Sequence, residues 1–306
     1  QHNGSIIWNS VFFIDSQTGW VTGHAGFIGI TTNGGITWTQ QTTATLEFFY
    51  SIYFINPQNG WCAGRNGTTL KTTNGGLNWN AISSNGPTMT ISSIDFTNLQ
   101  TGWITFEDSQ IYKTTNSGTN WDSLAKLPIN VLNSVQFIDT QTGWAAGGSN
   151  GGIGYKIFKT TDGGINWETQ LSSTSSIGLH SIYFVNNQTG WAVGSEGNIW
   201  QTVNGGTNWN NQVVSTGTYY KVQFINPQTG WVFGWGTSLK TTNGGLNWNI
   251  LGTTNHYLSG NFINAESGWA VSNQSIYKSS NGGESWYIQA SYSSDIALYD
   301  IRFVDA

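Results

Sequence analysis

The stretch Thr72-Thr73-Asn74-Gly75-Gly76-Leu77-Asn78-Trp79 decides the fold, because close variants of it recur along the chain. The copies end at Trp38, Trp79, Trp121, Trp167, Trp209, Trp248 and Trp286. Upstream of each stands a Gly-Trp pair, at Trp20, Trp61, Trp103, Trp144, Trp191, Trp231 and Trp269. Both motifs occur seven times, and their spacings of 38 to 47 residues define one repeated unit. Self-similarity at this period marks architectures built from one supersecondary unit.

Working outward from the quoted stretch, each unit divides into four strand-length segments. The first reads like Ser51-Ile-Tyr-Phe-Ile55, with apolar residues alternating, and the second starts at the Gly-Trp. The third reads like Ile111-Tyr-Lys-Thr-Thr115, and the fourth carries the second tryptophan. Turn residues such as Asn56–Gly60 and Asn74–Gly76 separate them, and Asn-Gly pairs supply the positive φ of tight turns. No window shows helical periodicity with caps. The expected fold is all-β: a seven-bladed β-propeller with four antiparallel strands per blade. As a single domain over 1–306, its blades fall near 9–43, 50–84, 92–126, 133–172, 180–214, 220–252 and 258–290. An eighth copy of the first-strand pattern, 299–305, either closes the ring or begins a further repeat.

Composition agrees and narrows the function. Of 306 residues 40 are glycine, 17 tryptophan and one cysteine; 8% are charged, against roughly 25% in an average domain. With 14% aromatic residues the chain has the apolar area that disordered segments lack. No apolar run reaches the roughly 18 residues of a membrane span. A formal charge of −5 and ten scattered basic residues give no stripe for nucleic acid. A lone cysteine rules out an internal disulfide and any multi-cysteine metal site.

The quoted stretch and its relatives resemble the Asp-box, or BNR repeat, of sialidases and sortilin-type propellers. Asp162-Gly-Gly-Ile-Asn-Trp167 keeps the aspartate that names the box; the other copies carry asparagine. The longer unit Phe-x-Asp/Asn-x-Gln-Thr-Gly-Trp, followed by Lys-Thr-Thr-Asn-Gly-Gly-x-x-Trp, is similar to photosystem II assembly and stability factor propellers. That repeat is also widespread in secreted proteins of Bacteroidetes-like bacteria. The resemblance spans nearly the whole chain and implies the propeller fold, while function sits in sites grafted on folds. A structural role is expected for the box residues Asn33, Trp38, Asn74, Trp79, Asn116, Trp121, Asp162, Trp167, Asn204, Trp209, Asn243, Trp248, Asn281 and Trp286.

Strands alternating up and down put the repeated Gln-Thr-Gly and Asn-Gly-Gly turns on one side. The variable loops fall on the other, where binding residues concentrate. Loops after the second strand carry His24, Arg65, Glu107, Asp108, Glu196 and Trp235. The blade connections carry Tyr219, Tyr220, His256 and Tyr257. Tyr50, Asn133, His180 and Tyr220 share one register at the start of the first strand and are expected to ring a channel mouth. Lys71, Lys113, Lys159, Lys240 and Lys278 repeat in the third strand, where their stems are expected to cover apolar surface. Cys62 matches small apolar residues in the other repeats and reads as core.

Catalysis finds little support. The sialidase resemblance would require three arginines and a tyrosine nucleophile, whereas the chain has only Arg65 and Arg302. A glycosidase needs two carboxylates about 5–10 Å apart, yet Glu107 and Asp108 are adjacent and neighbours in a strand point to opposite faces. No metal-spaced histidines, nucleophile elbow or phosphate loop occurs, so neither metal nor cofactor is expected. An arginine-rich patch, which the photosystem resemblance implies, cannot be made from two arginines. The expectation is a non-catalytic binding or scaffold propeller, secreted or displayed on a bacterial cell. Its partner would be a protein or glycan of the envelope or matrix, with no nucleic acid and no direct membrane insertion. Alternatives are a glycoside hydrolase or lectin-like propeller and a photosystem-type assembly factor. Gln1 at the start matches a chain after signal removal; a type IX secretion sorting domain beyond Ala306 is the companion expectation.

Overall fold

The computed structural model describes residues 8–23, 25–82, 88–106, 108–148, 154–252, 256–272, 275–291 and 300–303. Its strands form seven sheets, and the fold is a seven-bladed β-propeller with four antiparallel strands per blade. Blade 4 is representative: Leu132–Phe137, Gly143–Gly148, Tyr155–Thr160 and Glu168–Ser173 pair in sequence order. The fifth strand of blade 1's sheet is Asp300–Phe303, parallel to Trp8–Phe13. Among the described residues the only helical elements are single 3₁₀ turns at Arg65–Gly67 and Ser195–Gly197.

Two compact units partition the contacts. One comprises Gln1–Gly102, Thr114–Asp122 and Leu258–Ala306; the other comprises Trp103–Lys113 and Ser123–Tyr257. The first holds blades 1, 2 and 7 with the first strand of blade 3, and the second holds blades 4, 5 and 6.

Packing between successive blades repeats one aromatic device. In the first unit Trp20 stacks on Phe54 of the next blade with ring centroids 3.6 Å apart, and Trp61 stacks on Phe96 at 3.8 Å. In the second, Trp103 meets Phe137 at 3.7 Å, Trp144 meets Phe184 at 3.6 Å and Trp191 meets Phe224 at 3.4 Å. The box tryptophan of the second blade then closes on the same phenylalanine edge-on, as Trp79 does on Phe54 and Trp167 on Phe137. Each such aromatic removes about 150–250 Å² from water, roughly 4–6 kcal/mol of gross burial. The glycine before each Gly-Trp tryptophan lies under its own blade's phenylalanine. A Cβ on Gly60 would stand 2.5 Å from the Phe54 ring, and one on Gly143 would stand 2.6 Å from Phe137.

The box turn is held by its own side chains. In blade 4 Thr160 Oγ1 donates to Asp162 Oδ1 at 2.8 Å and accepts the Gly164 N–H at 2.9 Å. Asp162 Oδ1 also accepts the Asn166 N–H, and these bonds hold its carboxyl below the usual carboxylate range. In blade 2 Asn74 replaces the aspartate with the same bonds, because only a side-chain oxygen is needed. The second box glycine has φ near +90°, 91° at Gly76 and 92° at Gly164, which favours glycine. Lysines of the third strand cover the Gly-Trp rings: Lys113 Nζ is 5.2 Å from Trp103 and Lys278 Nζ is 4.8 Å from Trp269. Burial lowers the Lys71 and Lys113 ammonium pKa values. Cys62 is fully buried, and burial raises its thiol pKa.

Two substitutions test this packing. Gly143→Ala should lower unfolding stability by about 3 kcal/mol through overpacking against Phe137. Thr160→Val, near-isosteric, should lower it by about 1–3 kcal/mol by orphaning the Gly164 N–H. Urea titration reads both, and unchanged midpoints would contradict the assignment.

Candidate functional site

Within each blade the two repeated turns are bonded to each other. The first box glycine donates its N–H to the first-turn glutamine carbonyl: Gly75 to Gln58 at 2.9 Å, Gly163 to Gln141 at 2.7 Å, Gly205 to Gln188 at 2.7 Å. An Asx turn fixes that first turn, as where Asp139 Oδ1 accepts the N–H groups of Gln141 and Thr142. This end of the blade is therefore occupied with holding itself together. The hairpins between second and third strands, and the blade connections, lie at the other ends of the strands.

On that side a bulge re-aims one residue in several blades, blades 2, 4, 5 and 6 among them. The first strand pairs with the second in register until its start, where one residue is inserted. The pairing jumps from Leu132 to Ser134, from Leu179 to Ser181 and from Tyr219 to Lys221 in the second unit, and from Phe49 to Ser51 in the first. The extra residues are Asn133, His180, Tyr220 and Tyr50, the four of the shared register. In the second unit three of them meet the next blade or each other. Asn133 Nδ2 donates to Leu179 O at 2.7 Å, and the His180 and Tyr220 rings lie 5.5 Å apart. His180 Nε2 and Ser195 Oγ share a hydrogen bond of 3.1 Å, and burial lowers the imidazole pKa.

Loop residues add one stacked ring pair and one cation–π contact. In the second unit Trp235, 50% exposed, stacks on exposed His256 with centroids 4.3 Å apart and planes 26° from parallel. In the first unit the Arg65 guanidinium lies 5.7 Å from the centre of half-buried Phe48. Glu47 accepts from Asn66 Nδ2 at 3.2 Å. Asp108 pairs with Lys126 at 2.5 Å, and Glu196 is exposed at φ 57° in the second 3₁₀ turn.

Two expected rim residues belong to the core instead. Tyr219 is 0% and Tyr257 3% exposed. Tyr219 stands one residue before the bulge, the register of buried Phe49, Leu132 and Leu179, so it turns inward. Tyr257 packs edge-on against Phe233. His24 and Glu107 lie outside the described residues. Ser195 and Lys126, which engage His180 and Asp108, were not singled out by the sequence. A serine and a lysine in polar loops and edges carry no signal of their own. Among the described residues no three His, Cys, Asp or Glu side chains gather to hold a metal ion.

A family profile described as photosynthesis system II assembly factor YCF48 matches residues 4–127, 38–176 and 173–293. No curated protein matches the chain. Among solved structures, YCF48 bound to D1 peptide is similar with a TM-score of 0.71 at 22% identity, covering 96% of both chains. YCF48 from Cyanidioschyzon merolae is similar with a TM-score of 0.68 at 17% identity, covering 92% of this chain and 95% of its own. The GH74 xyloglucanase of Xanthomonas campestris is similar with a TM-score of 0.74 at 12% identity, over 94% of this chain and 55% of the xyloglucanase. At these identities the likenesses to solved structures show the fold alone.

His180 gives the site a pH signature. Its folded pKa is depressed below the unfolded value of about 6.5, so the unfolded state takes up the proton first. Stability is fully present above about pH 6.5 and is lost as pH falls below it. The melting temperature should drop between about pH 7 and pH 5, and His180→Gln should flatten that drop. An identical slope in the variant would contradict the burial argument.

Proposed function

We propose that this chain, which belongs to the photosynthesis system II assembly factor YCF48 family, acts without catalysis as a docking propeller that holds an extended segment of a partner protein on its variable loops. The observation that carries this reading is the half-exposed Trp235 stacked on His256, in the unit where bulges also aim His180 and Tyr220. Rigid aromatic side chains of this kind anchor interfaces because they bury large area for little rotamer entropy. The box turns supply a frame that need not reorganise, which limits the cost of binding. A YCF48 relative solved with D1 peptide supports a protein partner in the family. Secretion or cell-surface display remains part of the proposal and rests on the low charge and the composition.

The second reading, a glycosidase, is favoured by the similarity to the xyloglucanase. Against it, Asp108 is tied to Lys126 and Glu47 to Asn66, so neither carboxylate stands poised as acid or base. Assembly of a photosystem-type membrane complex is a special case of protein docking and draws its support from the family match.

A random dodecapeptide phage library panned on the immobilised chain tests the proposal. Enriched peptides should bind about tenfold or more weakly to Trp235→Ala and to Tyr220→Ala. They should bind normally to Leu246→Ser, a change at an exposed box-turn position. Peptides sensitive to the box-turn change and indifferent to both aromatic truncations would refute it.

A further inference from the structure

A separate groove lies in the first unit, where the segment after blade 1's fourth strand runs beside the box turn of blade 2. Its volume is about 390 Å³, and its walls are Thr42–Ala44 on one side and Thr73–Asn80 on the other. This falls within the roughly 300–1,000 Å³ of ligand pockets. Both walls are tied down. Thr43 Oγ1 donates to Gly26 O at 2.7 Å, and the box bonds of Thr72 and Asn74 fix the opposite side. Gln41, just before the first wall, bridges the two: its Oε1 accepts Trp79 Nε1 at 3.2 Å and its Nε2 reaches Gly75 O at 3.5 Å.

The lining selects a ligand class. None of its residues is charged. Asn74, Asn78, Asn80, Thr42 and Thr73 all line the groove, and the Asn78 and Asn80 carboxamides, the Asn74 Nδ2 and the Thr42 and Thr73 hydroxyls have no partner among the described residues. An anion or cation would find no counter-ion there. An apolar ligand would strip water from these groups and give no bonds in return, at about 1–3 kcal/mol each. A carboxamide offers donors and an acceptor side by side, the pattern that adjacent sugar hydroxyls match. Leu77, 77% exposed, supplies apolar surface for a sugar's C–H face.

We infer that this groove is a subsite for a short neutral saccharide, one or two pyranose rings long. It goes beyond the docking function, since its walls are the box turn and an interblade segment rather than the aromatic loops.

The test is side-chain amide NMR on the full ¹⁵N-labelled chain titrated with cellobiose, with glucuronate as the charged comparison. The Asn78 and Asn80 amide signals should shift saturably with cellobiose and stay still with glucuronate. Asn80→Leu and Thr42→Val, on opposite walls, should each weaken cellobiose binding about tenfold, with the melting temperature kept as a check on folding. The absence of any saturable shift by about 50 mM, where even a weak site fills, would overturn the inference. So would an equal response to glucuronate, or unchanged affinity in both variants.

Discussion

The rest of the structure depends on an indole ring held between two blades. The Gly-Trp tryptophan of one blade lies flat on the phenylalanine of the next, and its N–H reaches that blade's box turn. Trp20 Nε1 donates to Gly75 O at 3.0 Å, Trp61 to Ser117 O at 2.9 Å and Trp103 to Gly163 O at 3.1 Å. A buried indole N–H without an acceptor is costly, so the carbonyl must be presented in place. The box achieves this with a side-chain cap and a glycine pair, whose first member is replaced in blade 3 by Ser117 at φ 63°. Ring stacking in turn requires a glycine under the phenylalanine. One contact thus dictates the Gly-Trp pair, the Phe-x-Asp/Asn segment and the Asn-Gly-Gly turn together. Blade 5 varies the theme: Gln201 Nε2 donates to Gly244 O at 2.7 Å, and Trp191 Nε1 has no hydrogen-bond partner among the described residues.

Because these requirements gather at one end of the strands, the other end is released from them. There the residue types differ from blade to blade: Arg65 over Phe48 in one, Trp235 on His256 in another, Asp108 with Lys126 in a third. The bulge at the start of the first strand separates a residue that must be core from one that is free to recognise. Tyr219 and Tyr220, adjacent in sequence, fall on opposite sides of that division. Low overall charge follows from the same design. Blades stacked face to face leave little surface for charge beyond edges and loops.

Almost the whole fold was legible because the interblade contact writes itself into the sequence seven times. Trp79 and Trp167 could be assigned as structural from recurrence alone, and the lysines over the Gly-Trp rings from their common register. The candidate site was legible only in outline. Recurrence identifies what the architecture demands, and binding residues are those it does not demand. Tyr219 and Tyr257 were misread as rim because an aromatic residue in a connection looks the same whether a bulge turns it in or out. The bulge has no consensus residue; its trace is a buried apolar position followed by a polar or aromatic one, as in Phe49-Tyr50 and Leu179-His180. The pairing of His180 with Ser195 joins strand to hairpin across 15 residues and needs the coordinates.

A division of labour between a box side that builds the frame and a loop side that docks a partner protein is the central claim. Hydrogen exchange on the full chain, with and without a bound library-selected peptide, tests it most directly. The account predicts slowed exchange in the segments carrying Tyr220, Trp235 and His256, with the Asn-Gly-Gly turns unchanged. Protection of those turns, with the loops exchanging as before, would contradict it.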